Sequence, residues 1–137
     1  MNNMNSKELA RQYIEVIWNQ ADLSQLDDLT APDVVRHDPA SGVQRGIEEF
    51  RTVVAGLHAA FHPMQFTINE QVGEGDTGAQ HWTVTGTHVG EFMGNAPTGK
   101  QFTLDGITIY HFAAGKLAEE FTVWDALGLV KQLDLSA

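Results

Sequence analysis

The sequence predicts an α+β domain: three helices, a curved and mostly antiparallel sheet wrapped against them, and a short closing helix. Three observations carry this reading. Apolar residues recur at helical spacing in the first half of the chain, and alternation takes over from Met64 onward. The stretch Lys100–Leu135 reads as a long strand, a tight turn, a second strand and a final helix. Both of those strands are apolar on both faces, so each face needs a cover, helices on one side and a partner subunit on the other.

Taken in order, Asn5 caps a first helix over about Ser6–Asn19, whose stripe is Leu9, Tyr13, Val16 and Ile17, widened by Ile14 and Trp18. Leu23, Leu26 and Leu29 mark a short second helix that Ala31-Pro32 ends. Val34–Asp38 is a short extended piece stopped by Pro39. Ile47, Phe50, Val54, Leu57 and Phe61 define a third helix, closed by Pro63, with Val53 beside the stripe. Met64, Phe66 and Ile68 alternate in one strand, and Trp82, Val84 and His88 alternate with β-branched threonines in the next. A curved sheet on three helices leaves a cone with an interior pocket suited to a small apolar ligand.

The turn Ala113-Ala114-Gly115-Lys116 sets the register of the last two strands. A lone glycine in third place suits a three-residue loop with Gly115 in a bulge, which puts Thr108 opposite Glu120. Leu104, Thr108, Tyr110, Phe112, Glu120, Thr122 and Trp124 then share the inner face. Ile107, Ile109, His111, Leu117, Glu119, Phe121 and Val123 share the outer one. A two-residue turn would exchange the faces of the second strand.

Composition narrows the function. The 137 residues suffice for one domain, 1–137, and not for two. A net charge of −10 with scattered Lys and Arg excludes nucleic acid and anionic lipid as partners. There is no cysteine, hence neither a disulfide framework nor a thiol nucleophile, which fits a cytoplasmic location. Met1–Asn5 has no basic flank or apolar segment of a leader, and no apolar run reaches membrane-spanning length.

Several motifs together resemble a known family. Gly86-Thr87-His88-Val89-Gly90-Glu91-Phe92-Met93-Gly94, Pro97-Thr98-Gly99-Lys100, Gly115-Lys116, Asp125, Gly128-Leu129 and Gln132-Leu133 are similar to the SnoaL-like polyketide cyclases of the NTF2-like superfamily. Arg36-His37-Asp38-Pro39 and Gly46-Ile47-Glu48-Glu49-Phe50 extend the likeness over nearly the whole chain. The resemblance implies an NTF2-like cone and a cofactor-free, metal-free intramolecular aldol cyclisation run by an Asp and a His. Counted from Gly115-Lys116, those places hold Thr122 and Thr108, which cannot relay a proton near neutral pH. The resemblance also marks Trp18, His37 and Val53 as pocket positions.

Acid/base candidates therefore come from elsewhere. Glu120 lies two residues from the vacated Asp place; in an apolar pocket its pKa would rise, which suits a general base. Its plain alternative is a solvated rim residue of the Glu119-Glu120 pair. His37 titrates in the useful range if it faces the pocket, while Asp38 before Pro39 reads as a turn former. Asp125 reads first as the cap of the last helix and only second as a base. His58 and His62 have the i, i+4 spacing of a metal pair, but no acidic residue accompanies them and Pro63 breaks the helix. Trp82, Tyr110 and Trp124 join Trp18 as pocket-lining aromatics or plain core.

Three functions follow as expectations. The first is acid/base chemistry on an apolar carbonyl compound, cyclisation or isomerisation, with Glu120 or His37 accepting the proton. The second is an NTF2-like container that binds a small apolar, polyketide-like molecule without changing it. The third is a hydrolase like limonene epoxide hydrolase, which needs an Asp-Arg-Asp set whose Arg has no evident position. A homodimer through the sheet is expected from the two-faced hairpin.

Overall fold

A computed structural model describes residues 4–135. Residues 1–3, part of the stretch read for a leader, lie outside it. The chain is indeed α+β. The first helix, α1 (Ser6–Tyr13), starts where Asn5 accepts the amide of Glu8 at 2.9 Å. It runs on into a π-helical turn, Ile14–Asn19, that the stripe of apolar residues did not foretell. The turn ends on strand β3 (Gln65–Glu74): Asn19 accepts the amide of Phe66 at 2.6 Å and donates to its carbonyl at 3.1 Å. A helix end tied this way holds Trp18 beside Phe66, with ring centres 5.5 Å apart.

The expected second helix is a 3₁₀ turn, Leu23–Gln25, capped by Asp22, and a single α turn, α2 (Leu26–Leu29). Strand β1 (Thr30–Asp38) begins earlier than expected and runs through Pro32. Its β2 partner (Gly42–Arg45) pairs only with its far half, so Pro32 leaves no ladder bond unmade there. Helix α3 (Ile47–Ala60) and strands β4 (Thr77–Thr87), β5 (Gln101–Ala113) and β6 (Lys116–Trp124) follow the periodicity, and Asp125 caps α4 (Ala126–Leu133). The six strands form one sheet in the order β2-β1-β6-β5-β4-β3, parallel only between β1 and β6. Tyr13, Ile17, Phe50, Val54, Tyr110 and Leu129 are fully or almost fully buried between sheet and helices.

The β5–β6 turn corrects the expected loop. Ala113 pairs with Lys116, and Ala114 and Gly115 both have positive φ, 51° and 78°. This is a two-residue turn of the I′ kind. Phe112 therefore faces Leu117, which is fully buried on the inner side and not on the outer face as expected. The register then shifts between His111 and Phe112, leaving Ala118 as an extra residue. From there Tyr110 pairs with Glu120 and Thr108 with Thr122. The bulge restores the parity that the turn reverses, so Glu120, Thr122 and Trp124 face inward as the sequence indicates. The partner of Thr108 is Thr122 and not Glu120.

Candidate active site

A cavity of about 80 Å³ lies between sheet and helices. Trp18, Trp82, Tyr110 and Trp124 line it, together with Thr108 and Thr122. Val53 does not line it; this residue is partly buried on α3 against the core. His37 is corrected as well. It stacks on Phe121, ring centres 4.2 Å apart and planes within 4°, and meets Glu119 at 2.8 Å on the far side of the sheet. Alternation explains this, because its neighbours Arg36 and Asp38 are the buried ones.

Glu120 is the carboxyl of the cavity. Only 3% of its surface is exposed, and its Oε1 accepts the hydroxyl of Tyr13 at 3.0 Å. No group among the described residues donates to Oε2. Burial pushes this carboxyl above the ordinary glutamate range, and Arg36 and the Tyr13 hydroxyl pull it part of the way back. Burial also raises the hydroxyls of Tyr13 and Tyr110 well above the usual tyrosine value, so both remain neutral donors. Tyr110 turns its proton to Gln80 at 2.8 Å, leaving Tyr13 as the donor to Glu120.

Arg36 is a cavity residue that the sequence did not point to. It pairs in register with Glu120 across the parallel β1–β6 contact and lines the same cavity. Its guanidinium reaches Asp38 at 3.2 Å, Gln44 at 3.0 Å and Ser41 at 3.1 Å, while Nε is buried without a partner. Asp38 is saturated: Arg36, Ser41, the amide of Ala40 and the indole of Trp124 all donate to it. It is the turn former that the sequence suggested and also the counter-charge of Arg36. The signal for Arg36 was Val34, two positions earlier on the same face, but Val35 beside it obscured the phase.

The two threonines at the vacated places contact each other at 2.8 Å, and the indole N–H of Trp82 donates to Thr108 at 3.0 Å. They form a hydroxyl pair on an otherwise apolar wall. Asp125 accepts the amide of Gly128 at 2.8 Å as the cap of α4 and does not line the cavity. His58 is turned away as well: its ring bonds the carbonyl of Ile17 at 2.9 Å and packs on Trp18, and burial lowers its pKa. Among the described residues no cluster of three His, Asp or Glu side chains is arranged to hold a metal ion. Nor is any described helix long and apolar enough to cross a membrane.

A curved sheet folded over an apolar cavity, with one carboxyl inside, is the NTF2-like cone. Residues 7–133 match the family model of the SnoaL-like polyketide cyclases, and the chain belongs to that family. IdmH of Streptomyces antibioticus, described as a putative polyketide cyclase, is similar at 29% identity and a TM-score of 0.84, over 96% of this chain and all of that one. A putative polyketide cyclase from Acidithiobacillus ferrooxidans is similar at 28% identity and a TM-score of 0.83, over 100% and 99% of the two chains. A SnoaL-like protein from Jannaschia shares the fold at a TM-score of 0.89 and 18% identity, over 100% and 98%. No curated protein matches the sequence.

Proposed function

We propose that this chain is a cofactor-free acid/base enzyme acting on a small apolar carbonyl compound, with Glu120 as the proton-transfer group. The observation that carries the proposal is the setting of Glu120: buried, raised in pKa, held by one neutral donor, and in an apolar cavity with a free carboxylate oxygen. In the reaction the ionised carboxylate removes a proton from the carbon next to the carbonyl, and the electron pair passes to the carbonyl oxygen as an enolate. The enolate carbon then attacks a second carbonyl of the same molecule, whose oxygen takes the proton back from Glu120, or, in a β,γ-unsaturated substrate, the dienolate takes that proton back at its γ-carbon. The first outcome is aldol closure, the second isomerisation. Tyr13 fixes the carboxylate, and the Arg36 charge favours its ionised form.

The container reading draws on the threonines at 108 and 122. The hydrolase reading has gained its arginine in Arg36, but water activation by Asp38 is disfavoured because four groups already donate to that carboxylate. We also propose a homodimer, because Ile107, Phe121 and Val123 leave apolar surface on the outer sheet face.

The test is conversion of a panel of enolisable ketones and 1,5-diketones by the purified protein and by Glu120→Gln. The proposal expects turnover that drops about 100-fold or more in the variant while the fold persists. Ligands that bind and come back unchanged from both proteins would favour the container.

A further inference from the structure

Arg36 has more donors than the residues around it use. A guanidinium carries five N–H groups in one fixed plane. Nη1 donates to Ser41 at 3.1 Å and to Gln44 at 3.0 Å, and Nη2 meets Asp38 at 3.2 Å. One edge is left, Nε–H with the second N–H of Nη2. Nε is buried without an acceptor among the described residues, in a side chain that is 5% exposed and lines the cavity. A buried donor left unpaired is costly and calls for an acceptor. Glu120 does not fill that role, because Arg36 forms its ion pair with Asp38. Yet Arg36 and Glu120 are register partners on the parallel strands β1 and β6, side by side at the ordinary strand spacing of about 4.8 Å. A free donor edge and a carboxyl therefore stand next to each other on one cavity wall.

We infer that the free edge of Arg36 is the oxyanion donor of this site: Nε–H holds the carbonyl oxygen of the ligand while Glu120 takes the proton from the neighbouring carbon. The inference rests on the proposed function for the role of Glu120. In this step the carboxylate gains the proton, the C–H electron pair becomes the C=C bond, and the carbonyl π pair moves onto the oxygen beside Arg36. The guanidinium gives up no proton. It donates a hydrogen bond that strengthens as negative charge grows on that oxygen. The ligand class follows: a compound with an enolisable C–H and its carbonyl oxygen on one edge, held more tightly as the enolate than as the ketone.

The test uses Glu120→Gln, whose neutral amide stands for the carboxyl after it has taken the proton. The probes are cyclohexane-1,3-dione, a stable enolate at pH 8, and cyclohexanone, the neutral ketone of the same ring size. Calorimetry at pH 8 should show the enolate bound about 10-fold or more tightly than the ketone, as a hydrogen bond between charged groups implies. The ¹H–¹⁵N signal of the Arg36 Nε–H, assigned through its bonded Cδ protons, should move downfield when the enolate is added. Should the variant not fold, the same signal is followed in the wild type with cyclohexanone, whose neutral oxygen should move it the same way by less. An enolate that does not bind, or binds no more tightly than the ketone, overturns the inference. So does either ligand bound with the Nε–H signal unmoved. An enolate held by Arg36 in a protein that exchanges no α-proton would uphold the donor and count against the proposed reaction. Glu120-dependent exchange with an unmoved Nε–H signal would do the reverse.

Discussion

Tyr13 donates its hydroxyl to Glu120 at 3.0 Å, joining the first helix to the last strand across 107 positions of sequence. Both groups are buried, and the bond does two things at once. It orients the carboxyl, and it stabilises the ionised form in a place where desolvation opposes it. Tyr13→Phe should therefore raise the apparent pKa of Glu120, the proposed base, further. Activity near neutral pH should fall and recover partly in alkaline buffer, a pattern that simple loss of packing would not produce. Thermal unfolding should report a cost of about 1 kcal/mol or more.

The rate itself should follow the charge of Glu120. A base must be ionised to accept a proton, so kcat/KM should rise with pH and level off above the raised pKa, with a midpoint above that of an ordinary glutamate. A profile already flat from pH 5 upward would mean that a different group carries the proton.

Stability should run the other way. With the folded pKa above the unfolded one, the protein binds an extra proton when folded, so stability is greatest below the unfolded pKa and declines as pH rises through the window up to the folded pKa. Glu120→Gln keeps an acceptor for Tyr13 and removes the buried charge. The variant should melt about 3 °C or more above the wild type at pH 8, with the gap closing toward pH 4. Equal melting temperatures at both pH values would show that the carboxyl is better solvated than its surroundings suggest.

The outer face invites a second copy. Ile107 and Val123 are 55% and 60% exposed and lie opposite each other in register. Light scattering at micromolar concentration should give twice the chain mass, and Val123→Asp should give the single chain without loss of fold. A monomeric wild type would refute the dimer.

The β5–β6 turn offers a test remote from the site. Ala114 sits at a φ of 51°, where an asparagine before glycine is preferred in this turn type. Ala114→Asn should stabilise the protein by about 0.5–1 kcal/mol in chemical denaturation, with ligand binding unchanged.

That turn also shows what the sequence could and could not reveal. A single glycine after two alanines is compatible with either loop length, and nothing local marks Ala118 as a bulge. The inward placement of Glu120 was drawn from the expected three-residue loop, and it holds because the extra residue Ala118 offsets the parity change that the two-residue turn introduces. His37 was misplaced for a related reason. Val34 and Val35 are adjacent and both apolar, so alternation gave β1 no unique inner face, and the parallel pairing with β6 that put Arg36 inside is a long-range contact. Tyr13 read as one more apolar stripe residue, since its role depends on a partner 107 positions away. The first and third helices and the strands from Met64 onward were plain, because periodicity is a local signal, whereas β2 lies in a stretch that reads as a loop.

The central claim is that a shielded carboxyl at position 120 moves the proton. The most direct measurement follows deuterium entering the α-carbon of bound cyclohexanone in D₂O by NMR, for the wild type and for Glu120→Gln under identical conditions. Exchange should run well above the buffer rate in the wild type and close to the buffer rate in the variant. Equal exchange in the two proteins would contradict it.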